Sequence, residues 1–383
     1  MTMVATLERT RRDELVAEVR RFVETNPIDT IPHELDARFE WLVGYQHRLH
    51  QAGLAVPSWP ERYGGRGLPP AEAIVVLEEL GRARSPELIN FVAVEVVAPA
   101  LMAFVDEARL SRWLPAIASA DEVWCQLFSE PDAGSDLASL RTRATESGDG
   151  WTISGRKVWS TWAQFAGKGL LLARTGTIES RHRGITAFVI DMEHPGVEVR
   201  PLVTMTGTAE FAEVTFDDVP VGPDRVVGDV GKGWSVALLM LANERGPYAL
   251  RRAAVIRAAM EGVRDLARSS SSRPARSKAL DAYIAMWMLD RRIASVAADI
   301  EARRPVGDDA PITKMTLTIA EQKVYEAAQD LLGMAGIVGL DGGWTEGWLY
   351  SRAASIYGGS AQIQRNVIGE RILGLPPEPR PAE

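Results

Sequence analysis

The chain has 383 residues and a formal net charge of -8, with 46% hydrophobic and 25% charged residues. This length exceeds one average hydrophobic core and predicts two or three domains of a soluble globular protein. The mild acidity argues against a general nucleic-acid binder, although local basic residues can still hold an anionic cofactor.

Cysteine content and hydropathy indicate the compartment. Cys125 is the only cysteine, so no internal disulfide forms, which fits a reducing cytoplasm. It is either a reactive thiol or, as we favour, a small buried side chain in a strand. No apolar run reaches the ~18 residues that span a bilayer, and residues 1–12 lack the apolar core of a signal peptide. We therefore expect a cytoplasmic protein without a membrane partner.

The chain up to about residue 120 is predicted to be helical. Apolar residues recur at steps of three and four from Leu35 to Leu49, which is typical of an amphipathic helix. Prolines and glycines at 57–67 end this stretch, and Pro69-Pro70 begins the next helix. Two further helices are predicted at 88–105 and 107–118.

Strands are predicted from residue 123 to about 221. Asp149-Gly150 is a strong turn signal before one strand, and Ser154-Gly155 is interpreted as a second turn. Further strands are predicted at 170–173, 185–190, 197–203 and 213–216. Because no helix separates these strands, the sheet should be mainly antiparallel.

Helices are predicted again after Gly233, at 234–269, 277–303, 310–332 and 360–373. Pro247 should kink the first of these helices. Asp308-Asp309 before Pro311 is a favourable helix start. The expected organisation is therefore helices, then a small β domain, then a helical bundle.

Three segments carry groups suited to binding a planar cofactor. In the loop at 129–136, Gly134 removes a side chain, so backbone N–H groups can approach a carbonyl-rich ring or a phosphate. In 159–162, a Trp face can pack on a heterocycle and a Thr hydroxyl can donate to a ring nitrogen. In 357–365, two glycines allow close backbone approach, and Ser360 can cap the following helix. Taken singly, the loop could be a surface turn and the tryptophans core packing.

Glu244 is the candidate general base. It lies in an Ala- and Leu-rich helical stretch, where a lone carboxylate is costly unless it is used or paired. The structural alternative is a local ion pair with Arg251 or Arg252.

In their order and spacing, these segments resemble the acyl-CoA dehydrogenase family over nearly the whole chain. The matching segments are 54–57, 63–65, 129–136, 155–161, 213–219, Glu244-Arg245, 356–365 and 371–376. The resemblance implies an α+β fold with an N-terminal helical domain at 1–121, a middle antiparallel β-barrel domain at 122–232 and a C-terminal four-helix bundle at 233–383.

The resemblance also implies FAD as cofactor and an acyl-CoA substrate. The residues expected to bind FAD are Gln126, Phe128, Ser129, Gly134, Ser135, Trp159, Ser160, Thr161, Arg268, Ser360 and Gln362. Trp159 should pack on the flavin ring, and Thr161 should hydrogen-bond its N5. The residues expected at the substrate are Ser135, Arg245, Tyr357 and Gly358.

The implied reaction is α,β-dehydrogenation of the thioester. Many family members carry the base directly after the tyrosine of the C-terminal motif, but Gly358 occupies that position here. Glu244 matches the alternative position and should remove the α-proton while the β-hydrogen leaves as hydride to flavin N5. The resemblance implies electron transfer flavoprotein as electron acceptor and a homodimer or homotetramer.

Two departures from the family keep other functions open. Arg268 is followed by four serines instead of the expected Phe and Gly, and Asp330 stands where a cofactor-contacting glutamine is expected. The chain could therefore be a subunit of a heterotetrameric dehydrogenase with incomplete FAD sites. A flavin-dependent oxidase or monooxygenase on the same fold is the other alternative. We expect no metal site at His47 and His50, because no third ligand is near.

Overall fold

The computed structural model describes residues 7–28, 31–243, 247–302, 304, 309–339 and 342–377. Contacts divide the chain into two compact units. The helical unit comprises Met1–Pro27, Pro69–Ser85 and Glu244–Glu383, and the sheet unit comprises Ile28–Leu68 and Pro86–Asn243. The domain boundaries at 121/122 and 232/233 stay a prediction. None of the helices in the described ranges is long and apolar enough to cross a membrane.

The described helices agree with most of the predicted ones. In chain order they are α1 (Arg9–Thr25), α2 (Leu35–Gln51), α3 (Pro70–Arg82), α4 (Ala98–Phe104), α5 (Glu107–Ser119), α6 (Gly233–Asn243), α7 (Pro247–Ser269), α8 (Arg273–Glu301), α9 (Ala310–Leu332), α10 (Met334–Ile337), α11 (Trp344–Ser351) and α12 (Ala361–Val367). Wide helical turns of the π type precede α4 at Ala93–Val97 and follow α12 at Ile368–Ile372.

Local sequence explains where the predicted helices begin. Before α2, the Glu34 carboxylate accepts hydrogen bonds from the N–H groups of Asp36 and Ala37. Of the predicted stripe of α2, Leu42, Gln46 and Leu49 are buried. The first residue of α3 is Pro70. Proline has no N–H group, and the first residue of a helix needs none for the helical hydrogen bonds.

The middle of the chain forms one eight-stranded sheet, with helices before and after it in the sequence, which confirms the predicted α+β fold. The strands are β1 (Trp124–Leu127), β2 (Arg143–Ser147), β3 (Gly150–Thr161), β4 (Lys168–Arg174), β5 (Ile185–Asp191), β6 (Val197–Leu202), β7 (Phe211–Val221) and β8 (Val226–Val227). They are ordered β6-β7-β3-β2-β4-β5-β8, and β1 pairs with β4. The mainly antiparallel prediction is confirmed; the exceptions are β1 with β4 and one residue pair of β2 with β4.

One turn prediction is wrong. β3 runs without interruption through Ser154-Gly155, and β7 instead carries an extra residue opposite Ser154. This bulge places Asp218 at φ 48°, where its carboxylate accepts a 2.7 Å hydrogen bond from the Ser154 hydroxyl. Gly155 is needed for close approach rather than for a turn, because a Cβ there would lie 2.6 Å from Thr142 Oγ1. The Asp149-Gly150 turn signal is confirmed as the β2–β3 hairpin.

The sheet unit buries a continuous apolar core. Ile153, Leu171, Phe188 and Val214 are all fully buried in it. Cys125 lies in the same core within β1, as the strand interpretation predicted. Burial raises the pKa of its thiol to about 12, so the side chain is not an activated nucleophile.

The helical unit is held by packing and ion pairs between long helices. α8 and α9 run antiparallel, since Lys278 pairs with Asp330 near one end and Arg292 with Asp309 near the other. Within α7, Arg252 forms an ion pair with buried Glu321 of α9. The predicted helix at 234–269 appears as α6 and α7. Glu244 to Gly246, where the kink was predicted, lie outside the described residues, as does Asp308.

Candidate functional site

The loop after β1 offers open backbone to a ligand. Glu130 and Ala133 exchange two backbone hydrogen bonds of 3.1 Å and so close a tight turn. Gly134 and Ser135 are exposed, and a Cβ at Gly134 would meet nothing within 4 Å. Gln126 is half-buried, as is Ser129, while the ring of Phe128 is buried. The loop can therefore admit a ligand against its backbone at Gly134 and Ser135.

Trp159 lies in a bulge of β3 that turns its indole outward. Two residues of β3, Val158 and Trp159, lie opposite Glu213 alone, and Trp159 adopts φ 62°. Its side chain is 61% exposed and meets Phe211 edge-on, with ring centroids 6.1 Å apart. An exposed Trp in a left-handed conformation is unusual, and such strained positions concentrate at functional sites.

The bulge and the loop are joined directly. The Val158 N–H donates to Ser129 O at 2.9 Å, so the predicted cofactor residues of both segments lie together in the sheet unit. Thr161 is half-buried, and Ser160 is only 1% exposed. The Ser160 hydroxyl has no hydrogen-bond partner within the described part of the chain. A buried hydroxyl without a partner is costly, and a bound polar ring would satisfy it. This arrangement fits a flavin.

A buried ion pair lies beneath the loop. Lys157 Nζ donates to Glu130 Oε1 at 2.8 Å and to Phe128 O at 3.0 Å, and the lysine is fully buried. Burial lowers the pKa of Lys157 to about 8, although Glu130 opposes this shift. Burial also acts to raise the pKa of Glu130, but Lys157 and N–H donors from Thr142 and Arg141 outweigh it, leaving that pKa below its ordinary value.

A second cation holds the far side of the loop. The buried Arg174 guanidinium donates to the carbonyl oxygens of Leu140 at 2.9 Å, Ala138 at 2.7 Å, and Thr177 and Arg181 at 3.0 Å each. Arg181 in turn pairs with Asp136 at 2.6 Å. The loop is thus fixed at both ends although its tip is exposed.

The C-terminal segment lies in the helical unit and begins with a glycine-rich turn. Gly358 and Gly359 adopt φ 61° and 88°, and the Ser360 hydroxyl accepts from Ile363 N at 3.3 Å to cap α12. The buried Gln364 amide donates from Nε2 to Gly358 O at 3.0 Å and to Gly359 O at 3.3 Å. Gln362 is exposed.

Tyr357 and a cavity lie against α9. The Lys314 ammonium is 3.9 Å from the Tyr357 ring centroid, a cation–π contact. A cavity of about 160 Å³ is lined by side chains of α9 and α12, including Thr318, Gln322 and Gln364. The helical unit thus brings Tyr357, Gly358 and Ser360 together in one rigid turn.

The remaining predicted residues are placed elsewhere or lie outside the described residues. Glu244 and Arg245 lie outside them. Arg268, at the end of α7, is exposed and pairs with Asp265 at 2.9 Å. His47 Nε2 lies 3.0 Å from Asp121 Oδ1. Within the described ranges, no group of three His, Cys, Asp or Glu side chains could hold a metal ion.

Lys157, Glu130 and Gln364 lie within the segments that resemble the family, but no role was predicted for any of them. One signal for Lys157 was available: it lies an even number of residues from apolar Ile153 and so shares its face of the strand, where a charged residue needs a partner. The preceding loop offered Glu130. Gln364 carried no comparable signal, because its partners are backbone carbonyls.

Comparisons with known proteins cover almost the entire chain. Three family models match the chain: "Acyl-CoA dehydrogenase, N-terminal domain" at residues 10–121, "Acyl-CoA dehydrogenase, middle domain" at 125–219 and "Acyl-CoA dehydrogenase, C-terminal domain" at 231–373. The chain is 39% identical to "Acyl-CoA dehydrogenase IpdE1" of Mycobacterium tuberculosis, over 89% of each protein.

Two solved structures are similar throughout. "Tcur3481-Tcur3483 steroid ACAD" has a TM-score of 0.84 and 26% identity, covering 99% of this chain and 100% of that one. The "ChsE4-ChsE5 complex from Mycobacterium tuberculosis" has a TM-score of 0.82 and 26% identity, covering 98% and 100%.

Proposed function

Because this chain belongs to the acyl-CoA dehydrogenase family, an FAD-dependent family, we propose that Glu244 is the general base of its α,β-dehydrogenation reaction. Two observations support the function as an acyl-CoA dehydrogenase. All three family models match, and one relative is 39% identical over 89% of the chain. The base assignment is supported by Gly358, which occupies the other position from which family members supply this carboxylate.

In the sheet unit, the proposed FAD contacts come from the loop and the bulge. The open backbone at Gly134 and Ser135 approaches the cofactor, and Trp159 packs its exposed indole on the ring. The buried Ser160 hydroxyl and Thr161 supply hydrogen bonds, and Gln126, Phe128 and Ser129 border the ring. Bound FAD supplies the acceptor for the substrate β-hydrogen. Arg268, Ser360 and Gln362 are proposed to hold the rest of the cofactor.

The chain's own chemistry consists of moving one proton and polarising one carbonyl. Glu244 takes the proton from the carbon next to the thioester. The Gly358 N–H donates to the thioester oxygen, and a donor of this kind contributes roughly 3 kcal/mol to such a transition state. Gln364 supports this step because it holds the Gly-Gly turn rigid. Ser135, Arg245 and Tyr357 complete the proposed substrate site.

We further propose that the chain works as a homodimer or homotetramer, and α8 supplies the supporting surface. Five large apolar side chains of α8 are each 50–59% exposed: Leu280, Tyr283, Ile284, Trp287 and Met288. Their spacing places them on one helix face. An apolar stripe of this size marks an interaction surface in water-soluble proteins.

The stripe is suited to a second copy of the same helix. Positions 283 and 288, like 284 and 287, are equidistant from the point between residues 285 and 286. Two antiparallel copies of α8 would therefore place Tyr283 against Met288 and Ile284 against Trp287.

A heteromeric dehydrogenase is the second candidate. Arg268 is exposed and forms an ion pair with Asp265, and Asp330 forms one with Lys278. One similar structure is the ChsE4-ChsE5 complex, which contains two different chains. The FAD content of the chain purified alone distinguishes the two assemblies. One FAD per chain supports the homo-oligomer, whereas loss of FAD that a second subunit restores supports the heteromer.

The decisive experiment is an anaerobic titration of the purified protein with acyl-CoA thioesters, read at the flavin absorbance. Straight-chain, branched and steroid-side-chain thioesters are compared, the last because one similar structure is a steroid ACAD. We expect bleaching by at least one thioester, slow reaction of the reduced flavin with oxygen, and reoxidation by electron transfer flavoprotein. Fast reaction with oxygen would instead favour an oxidase or monooxygenase. A cytoplasmic location completes the proposal.

A further inference from the structure

We propose that Lys157 and Glu130 form a positioning pair that holds the loop at 129–136 and the Trp159 bulge in the arrangement that binds the FAD ring. This inference rests on the proposed placement of FAD against these two segments. It gives a role to a buried ion pair that the reaction itself does not use.

Three backbone groups that lie before and after the loop depend on the pair. Lys157 Nζ donates to Phe128 O, where the chain leaves β1. The Glu130 carboxylate accepts from Arg141 N at 2.6 Å and from Thr142 N at 2.8 Å, where the chain enters β2. The 2.8 Å bond between Lys157 and Glu130 joins these anchors. The chain on both sides of the loop is thereby tied to Lys157 of β3.

Lys157 anchors β3 immediately before its bulge. It lies opposite Val214 on β7, and the register shifts directly after it. The next residue, Val158, donates to Ser129 O, and Trp159 then turns outward. A shift at Lys157 would therefore move the loop carbonyl at Ser129 and the indole of Trp159 together.

The geometry of the pair carries its positioning role. Burial lowers the pKa of Lys157, which disfavours the lysine charge. Burial also acts to raise the pKa of Glu130, but Lys157 and the N–H donors leave it below its ordinary value, which favours the glutamate charge. The pair fixes the orientation of three peptide groups, one before the loop and two after it.

The test uses two single variants and one double variant, each reconstituted with FAD. Lys157→Met keeps the side-chain length, and Glu130→Gln keeps one acceptor oxygen. Lys168→Met is the matched control, because Lys168 forms an ion pair with Glu122 in the same sheet but away from the loop. The readouts are the dissociation constant of FAD, the absorption spectrum of the bound flavin and the thermal unfolding midpoint.

We expect both single variants to bind FAD at least tenfold more weakly than the wild type and to shift the flavin spectrum. The control should lose stability without either change. In the double variant Lys157→Met/Glu130→Gln, no unpaired charge is left, so the unfolding midpoint should recover at least partly while FAD affinity stays low.

Wild-type FAD affinity and spectrum in the single variants would overturn the proposal, as would recovery of FAD affinity together with stability in the double variant. Where Lys157→Met fails to fold, Lys157→Arg keeps the charge but changes the geometry, and the same comparison applies. Bleaching of the wild-type flavin by acyl-CoA tests the proposed reaction separately, so failure of either idea is recognised on its own.

Discussion

The side-chain amide of Gln364 donates a hydrogen bond from Nε2 to the backbone oxygen of Gly358, at 3.0 Å. Gln364 lies in α12 and is fully buried, whereas Gly358 lies in the turn that precedes this helix. Because Gly358 and Gly359 both adopt left-handed conformations, the turn depends on two glycines and on this one amide.

Replacing Gln364 by Leu should slow the reaction more than it weakens substrate binding. The variant removes both hydrogen bonds that hold the Gly-Gly turn, and the loss of about 1.4 kcal/mol of orientation corresponds to roughly a tenfold lower kcat. Steady-state kinetics with the best thioester provide the measurement. Asn366→Ala, on the exposed face of the same helix, is the control and should leave kcat unchanged. Equal kinetics for both variants would remove Gln364 from the site.

Glu244→Gln should bind FAD like the wild type and lose turnover. The amide keeps the shape of the carboxylate but cannot accept the α-proton, and loss of a general base costs at least about a hundredfold in rate. Rapid-mixing absorbance under anaerobic conditions follows the flavin directly. Bleaching at the wild-type rate would show that another group removes the proton.

Trp287→Asp should reduce the mass of the assembly. The substitution places a charge in the centre of the α8 stripe, and Trp287 is already 56% exposed, so folding of the single chain should tolerate it. Light scattering during size-exclusion chromatography measures the mass. Ile178→Asp, which adds the same charge at an exposed position of the sheet unit, should leave the mass as in the wild type. An unchanged mass for Trp287→Asp would place the interface elsewhere.

Glu78→Gln should stabilise the protein at neutral pH. The Glu78 carboxylate is 2% exposed, and its Oε1 has no hydrogen-bond partner in the described parts of the chain. Burial raises its pKa above the ordinary value of 4.5, although Arg82 and Arg257 oppose the shift. A raised pKa means that stability is fully present below pH 4.5 and is lost as pH rises through the folded-state pKa.

The two proteins should therefore unfold at similar temperatures near pH 4 and diverge toward pH 7, where the variant gains roughly 1 kcal/mol. Scanning calorimetry across that pH range gives the comparison. Glu79→Gln is the matched control, because Glu79 is bonded to Arg20 at 2.7 Å and to Arg82 at 3.1 Å. Its loss should destabilise the protein. A wild-type advantage at pH 7 over Glu78→Gln would contradict the argument.

Cys125 should resist thiol reagents in the native protein up to about pH 10. Its pKa of about 12 leaves almost no thiolate, and the side chain is fully buried. A chromogenic disulfide reagent should therefore count less than one thiol per chain before denaturant is added and one thiol afterwards. Rapid labelling of the folded protein would mean that β1 opens readily.

Regular periodicity and turn chemistry made much of the fold predictable. The stripe of α2, the proline at the start of α3 and the hairpin at Asp149-Gly150 are local signals, and each agrees with the structure. The error at Ser154-Gly155 arose because the turn residue and its cause lie on different strands. Gly155 is required by Thr142 on a neighbouring segment, and the extra residue belongs to β7.

The site could be predicted only where its residues follow one another in sequence. The loop at 129–136 and the bulge at Trp159 were found as motifs, but their joining through Val158 and Ser129 requires the β1–β3 geometry. Lys157 keeps the alternation that begins at Ile153, but its bond to Glu130 joins two separate segments and requires the folded structure. Gln364 donates to backbone carbonyls, and because every residue has a carbonyl, the residue types alone do not indicate this contact.

The burial of Cys125 has a practical consequence for spectroscopy. The native protein offers no reactive thiol of its own, so one cysteine introduced on the surface would be the sole site for a fluorophore or spin label. A pair of such mutants, one in each compact unit, would report the distance between the two units during turnover without first removing the natural residue.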